Sequence, residues 1–206
     1  MTLDLPGHGS AAELDGTLPE IAAMVLEALP REPVVLGGYS FGARVALHVA
    51  LADPSRLSAL IILGASRGIA DPHERAERRR RDEALATHLE VVGTEVFLSE
   101  WLSQSLFATL GPHVESETRS QNAAGLARSL RHAGTGTQDW LGDRLGELDV
   151  PTLALAGELD AKFVAEARDI ATTLPRGSFA HIVGAGHAAH LEQPEQVTRA
   201  IEAFLS

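Results

Sequence analysis

Val34-Val35-Leu36-Gly37-Gly38-Tyr39-Ser40-Phe41-Gly42-Ala43 is an apolar run that ends in Gly-x-Ser-x-Gly and passes directly into a helical pattern. The run predicts a strand over Val34 to Tyr39, and the apolar spacing from Gly42 to Ala52 predicts a helix. Between them, glycines on both sides of the serine allow a tight, strained turn that lifts the Ser40 hydroxyl above the strand end. The same position is a helix N-terminus, where backbone N–H groups and the dipole favour developing negative charge. The bland alternative is that Ser40 only caps the helix.

The rest of the chain repeats this layout. Leu57 to Leu63, Thr152 to Ala156 and Phe179 to Val183 are further apolar runs, and Ala161 to Leu174 and Pro194 to Leu205 carry helical spacing. Strands alternating with helices predict an α/β fold with a mostly parallel sheet flanked by helices. Runs this continuous predict strands buried on both faces. Asp71 to His132 breaks the rhythm with charges and repeated helical spacing. It reads as a helical insertion, giving a discontinuous core of residues 1–70 and 135–206 and a helical lid of residues 71–134. The arginine-rich stretch Arg75 to Arg81 is diluted by Glu77 and flanked by Glu74 and Asp82, which predicts ion pairs within one helix.

Composition narrows the function. The 206 residues, 45% hydrophobic and 22% charged, suit a folded domain with a substantial core. A net charge of -11 argues against a nucleic-acid surface. No run predicts a membrane span, and a cytoplasmic location is expected. With no cysteine, thiol catalysis and disulfides are excluded, and the carboxylates and histidines lack metal-ligand spacing. No cofactor is implied, because no Gly-x-Gly-x-x-Gly cradle is present. Of 17 basic residues only Lys162 is a lysine, so the cationic side chains are almost all forks that match carboxylates.

A serine needs an imidazole to activate it, and the imidazole needs a carboxylate to fix its tautomer. Asp160 follows one strand in Gly157-Glu158-Leu159-Asp160, and His187 follows another in Gly184-Ala185-Gly186-His187. Both fall on loops at the sheet end that carries Ser40. Glu158 competes for the acid, and His190 for the base.

Asp4-Leu5-Pro6-Gly7-His8-Gly9, the serine elbow, Gly157-Glu158-Leu159-Asp160 and Gly186-His187 together resemble the α/β-hydrolase superfamily along the whole chain. Gly64-Ala65-Ser66-Arg67-Gly68-Ile69, Glu74-Arg75 with Arg79 and Asp82, then Phe97, Trp101 and Leu106-Phe107-Ala108 are similar to a narrower group. That group is the 2-succinyl-6-hydroxy-2,4-cyclohexadiene-1-carboxylate synthases of menaquinone biosynthesis, which Arg44 also suits. The resemblance implies an α/β-hydrolase fold and a lyase that eliminates pyruvate from 2-succinyl-5-enolpyruvyl-6-hydroxy-3-cyclohexene-1-carboxylate. It implies Ser40, Asp160 and His187 as the catalytic set and the Phe41 N–H as an oxyanion donor. Arg44, Arg75 and Arg119 match carboxylate-binding positions, and Tyr39 and Trp101 match pocket-lining ones. The partner is then a small-molecule polycarboxylate. An ester or carbon-carbon bond hydrolase, and a non-catalytic remnant, are the alternatives left open.

Against the superfamily pattern the chain is expected to be N-terminally truncated, lacking the first three strands and the His-Gly loop after the third. That loop supplies a second oxyanion N–H, and losing one such donor lowers rates about 10²- to 10³-fold.

Overall fold

The computed structural model describes residues 1–110 and 122–206. These group into two compact units, one of residues 1–21, 68–104 and 122–140, the other of residues 22–67, 105–110 and 141–206.

The second unit is built on four parallel strands in the order β1 (Val34–Tyr39), β2 (Leu57–Leu63), β3 (Thr152–Gly157), β4 (Gly177–Ile182). Register runs from Val35 against Ala59 to Tyr39 against Leu63, from Leu60 against Thr152 to Leu63 against Leu155, and from Thr152 against Gly177 to Gly157 against Ile182. All crossovers are helical, as parallel pairing requires. The central strands meet the expectation of two-faced burial: every residue of β3 is buried, and in β2 only Ser58 is exposed. The outer strands do not, since β1 and β4 are largely half-buried or exposed. Among the described residues each has a neighbour on one side only, so an apolar sequence does not suffice for burial there.

Among the described residues this sheet is accompanied by the later turns of α1 (Leu18–Ala28), by α2 (Phe41–Ala52) and α5 (Ala161–Thr173), by the single turn α6 (Ala189–Glu192) and by α7 (Pro194–Leu205). Alanine-rich α2 is buried on every side from Val45 to Ala50. Ile61, Leu63, Leu153, Leu155 and Ile182 form a core with Val197, against which α7 packs Ile201 and Phe204. Arg67, in the segment after β2, ties it to α5, meeting Glu166 at 3.2 Å and Asp169 at 2.8 Å.

The first unit is helical. α1 (Leu18–Ala28), whose first residues belong here, opens with a capping box: Glu20 accepts from the Thr17 N–H and hydroxyl, each at 2.8 Å. α3 (Pro72–Leu102) starts at Asp71, whose side chain accepts from the His73 and Glu74 N–H groups, with Pro72 in the first turn. The Glu74 N–H is the main reason that the Asp71 carboxyl is held below its usual range. α3 breaks at Gly93, where φ is 77° and ψ is 170°. His88 and Glu100, twelve residues apart, meet at 2.6 Å. A straight helix would separate them by about 18 Å, so the chain doubles back at Gly93. Ala86, Leu89 and Phe97 then pack against Ala127 of α4 (Ala123–Ala133).

The arginine run behaves as its sequence implies: Arg78 pairs with buried Asp82 at 2.7 Å and Arg81 with Glu77 at 3.5 Å, both one helical turn apart. Residues 1–21 join this unit although hydropathy groups 1–70 with the sheet. The reasons are visible: Arg128 donates to the Ala12 carbonyl at 2.7 Å, His132 meets Asp15 at 2.6 Å, and a Cβ on Gly7 would lie 2.5 Å from the Gly125 oxygen. Among the described residues no helix is long and apolar enough to cross a membrane.

Candidate active site

β1 ends at Tyr39 and α2 begins at Phe41, leaving Ser40 as the entire turn. Its backbone takes φ 48° and ψ -106°, and among the described residues it is the one non-glycine with positive φ. Such a conformation costs of order 1–3 kcal/mol and persists because neighbours impose it. The Ser40 N–H donates to the Leu63 carbonyl at 2.8 Å, and its own carbonyl accepts from Arg44 at 3.1 Å. Gly38 is required because a Cβ there would lie 2.5 Å from the Gly42 carbonyl carbon, whereas a Cβ on Gly42 would meet nothing within 4 Å.

The Ser40 Oγ lies 3.1 Å from His187 Nε2, and Asp160 Oδ2 lies 2.8 Å from His187 Nδ1. Three residues from three strand ends therefore form one relay, in which Nδ1–H donates to the carboxylate and Nε2 faces the hydroxyl. Asp160 and His187 are buried, at 8% and 3% exposure, so their attraction is little screened by water. Asp160 also N-caps α5.

The alternatives left open by the sequence separate cleanly. Glu158 turns away and accepts the Gly184 N–H at 2.9 Å on an exposed surface. His190 packs its ring against Tyr39 at 4.3 Å, and its Nδ1 is buried without a hydrogen-bond partner. Burial, and then the neighbouring His187, push His190 below the usual imidazole range, partly opposed by Glu192.

The imidazole of His187 sits among Phe163, Tyr39 and Phe107, with ring centroids 4.5, 5.3 and 6.0 Å away. Burial, then the charges of Glu192 and Asp160, raise the Tyr39 phenol well above its ordinary value, so it stays protonated. Below the ring lies Gly64 at φ 61°, where a Cβ would come 2.9 Å from His187 Cε1. The acid and base loops touch main chain to main chain: a Cβ on Gly157 would run into the Ala185 and Gly186 carbonyls. A polar cleft of about 260 Å³ opens beside the pair, lined by Ser105, Leu106, Thr109, Leu159 and Gly186.

Of the expected binding residues, half-buried Arg44 lies in the first turn of α2 and stacks its guanidinium over the Phe41 ring at 5.2 Å. Arg75 and Trp101 belong to the helical unit, where Arg75 donates its N–H to Asp71 and Trp101 stacks on Phe97 at 5.8 Å. Arg119 lies outside the described residues. Sequence reasoning missed Gly64, Phe163 and the role of Gly157. For Gly64 a signal existed, since a glycine directly after a strand at the serine's end of the sheet sits where α/β sheets bind ligands.

The chain is similar to known proteins in sequence and in fold. A family model described as "Alpha/beta hydrolase family" matches residues 1–200. A Bacillus subtilis (strain 168) protein provisionally named 2-succinyl-6-hydroxy-2,4-cyclohexadiene-1-carboxylate synthase is 35% identical over 99% of this chain and 80% of its own. The synthase of that name from Serratia proteamaculans (strain 568) is 33% identical over 100% of this chain and 82% of its own. The solved structure of MenH from S. aureus superposes with a TM-score of 0.91 at 35% identity, covering 99% of this chain and 82% of that one. The parallel sheet with its flanking helices is thus an α/β-hydrolase fold, and the chain belongs to the α/β-hydrolase family, in the group of the 2-succinyl-6-hydroxy-2,4-cyclohexadiene-1-carboxylate synthases.

Proposed function

We propose that this protein is a lyase that eliminates pyruvate from 2-succinyl-5-enolpyruvyl-6-hydroxy-3-cyclohexene-1-carboxylate in menaquinone biosynthesis. The observation that carries this reading is the Ser40–His187–Asp160 relay in a chain 33–35% identical to synthases of that name.

The chemistry asks for a base, an anion site and cations. His187 draws the Ser40 proton onto Nε2, and Ser40 Oγ takes the proton from the carbon beside the succinyl ketone. The electron pair left on that carbon forms an enolate, whose oxygen meets the Phe41 N–H at the positive end of α2. As the pair moves into the ring, the carbon-oxygen bond to the enolpyruvyl group breaks. The departing enolate takes up a proton, returned through His187, and becomes pyruvate, while the ring keeps a conjugated diene. Asp160 fixes the imidazole tautomer and stabilises the imidazolium. Arg44, Arg75 and Arg119 are assigned to the substrate carboxylates, with Tyr39 and Trp101 lining the pocket, on the family resemblance. A cytoplasmic location, with a small polycarboxylate as the substrate bound, belongs to the same reading.

The test is a coupled assay for pyruvate with the enolpyruvyl substrate. The parent is expected to release one pyruvate per diene formed. Ser40→Ala is expected to lower kcat by about 10³-fold or more, and Arg44→Ala chiefly to raise KM. A well-folded parent that releases no pyruvate overturns the reading.

A further inference from the structure

We infer that Glu192 is a positioning residue, a carboxylate strap that aims His187 by holding the backbone N–H of Gly186; its effect on rate rests on the lyase reading above. Glu192 closes the single turn α6 and reaches back so that Oε2 accepts the Gly186 N–H at 2.8 Å. Gly186 directly precedes His187, so this bond fixes the peptide from which the imidazole hangs.

The loop needs such a hold. Gly184 has φ 69° and Gly186 follows two residues later, which places two side-chain-free pivots just ahead of the base. At Gly186 nothing larger fits, because a Cβ would run into Thr109 Oγ1 and lie 3.3 Å from Glu192 Oε1. The loop has one strap on each side: exposed Glu158 holds Gly184 at 2.9 Å, and part-buried Glu192 holds Gly186. The second oxygen of Glu192 is buried with no hydrogen-bond partner. A half-satisfied buried carboxylate is a poor device for stability, since an apolar group would serve better. It is a good device for geometry, because the bond it makes to an N–H is charge-assisted and short. Its charge also acts inward, on Tyr39 and His190, both of which contact the triad region.

Three substitutions test the strap. Glu192→Ala removes the acceptor and is expected to lower kcat about tenfold or more with KM within about twofold, because misplacing a reacting group by roughly 1 Å has effects of up to about 10²-fold. Glu192→Asp keeps the charge but is one methylene too short, and is expected to match Ala. Glu192→Gln keeps an acceptor oxygen at the same reach and is expected to stay within about threefold of the parent. Should the alanine variant fail to fold, the Asp and Gln pair decides. A second readout needs no substrate: the proton between His187 Nδ1 and Asp160 gives a far-downfield proton resonance, expected in the parent and Gln and lost or shifted in Ala and Asp. Parent-like kcat and resonance in Glu192→Ala overturn the inference, as does a Gln variant as impaired as Ala. If the parent itself releases no pyruvate, the lyase reading falls while the resonance still decides the strap.

Discussion

At Ser40 the chain holds a β-carbon in backbone space that suits glycine, with φ 48° and ψ -106°. The strain is the reason the hydroxyl points out of the turn toward His187 instead of back into α2. Removing the hydroxyl and removing the strain are therefore separable. Ser40→Ala keeps the β-carbon, whereas Ser40→Gly releases it at the expense of a more flexible unfolded chain. Strain relief of about 1–3 kcal/mol outweighs the glycine penalty of about 0.5–1 kcal/mol, so Ser40→Gly is expected to be the more stable of the two by about 1 kcal/mol. Urea denaturation of both inactive variants checks this. A midpoint for Ser40→Gly below that of Ser40→Ala would mean that the elbow is relaxed, with the glycine penalty standing alone.

Among the elements, α3 behaves as two helices joined at Gly93. A Cβ at Gly93 would meet no atom within 4 Å, so any harm from a side chain there comes from the backbone alone. Its dihedrals fall where residues other than glycine are nearly absent, and Gly93→Ala is expected to cost about 1–3 kcal/mol, read as a fall in Tm. The side chains that close the bend are also fragile in isolation, since the His88–Glu100 pair is 44% and 55% exposed and so contributes little on its own. The packing of Phe97 against Leu89 and Ala127 carries the hairpin. The serine elbow, by contrast, needs only local sequence. Strand, turn and helix are adjacent along the chain, and that adjacency is why Ser40, and the loops bearing Asp160 and His187, are legible in the sequence. The Gly93 bend was not, because helical spacing continues across it and the pairing of His88 with Glu100 spans twelve residues.

For the whole molecule, pH acts through both charge and burial. The net charge is -11 at pH 7. His190 adds a folding-linked term whose sign follows from its depressed affinity for protons. As pH falls below the unfolded value of 6.5, the unfolded chain takes up a proton that the folded protein does not. The stabilisation from a neutral, buried His190 is thus full above that value and lost as pH falls toward the lower folded one. Thermal melts at about pH 7.5 and about pH 5.5 should show the parent losing more stability than His190→Gln between the two. Parallel losses would show that His190 is as accessible to protons when folded as when unfolded.

At this scale the sequence revealed a parallel sheet, through the alternation of strands and helices, and the catalytic end of that sheet. It could not reveal the half-exposed outer strands, which depend on what each strand has beside it. Nor could it reveal the grouping of residues 1–21 with the helical unit, which rests on contacts such as Arg128 to Ala12 more than a hundred positions apart. Glu192 escaped for the same reason: it acts on His187 across a tertiary contact.

The meeting of Gly157 with the Ala185 and Gly186 carbonyls bears on how such a protein can be remade. Because no side chain intervenes there, the spacing of the acid and base loops is set by the polymer itself. A mutational library can recolour the pocket walls at Leu106 or Leu159 without detuning that spacing, provided Gly157, Gly186 and Glu192 are left alone. New substrate preference and intact proton transfer are, in this scaffold, separately inheritable traits.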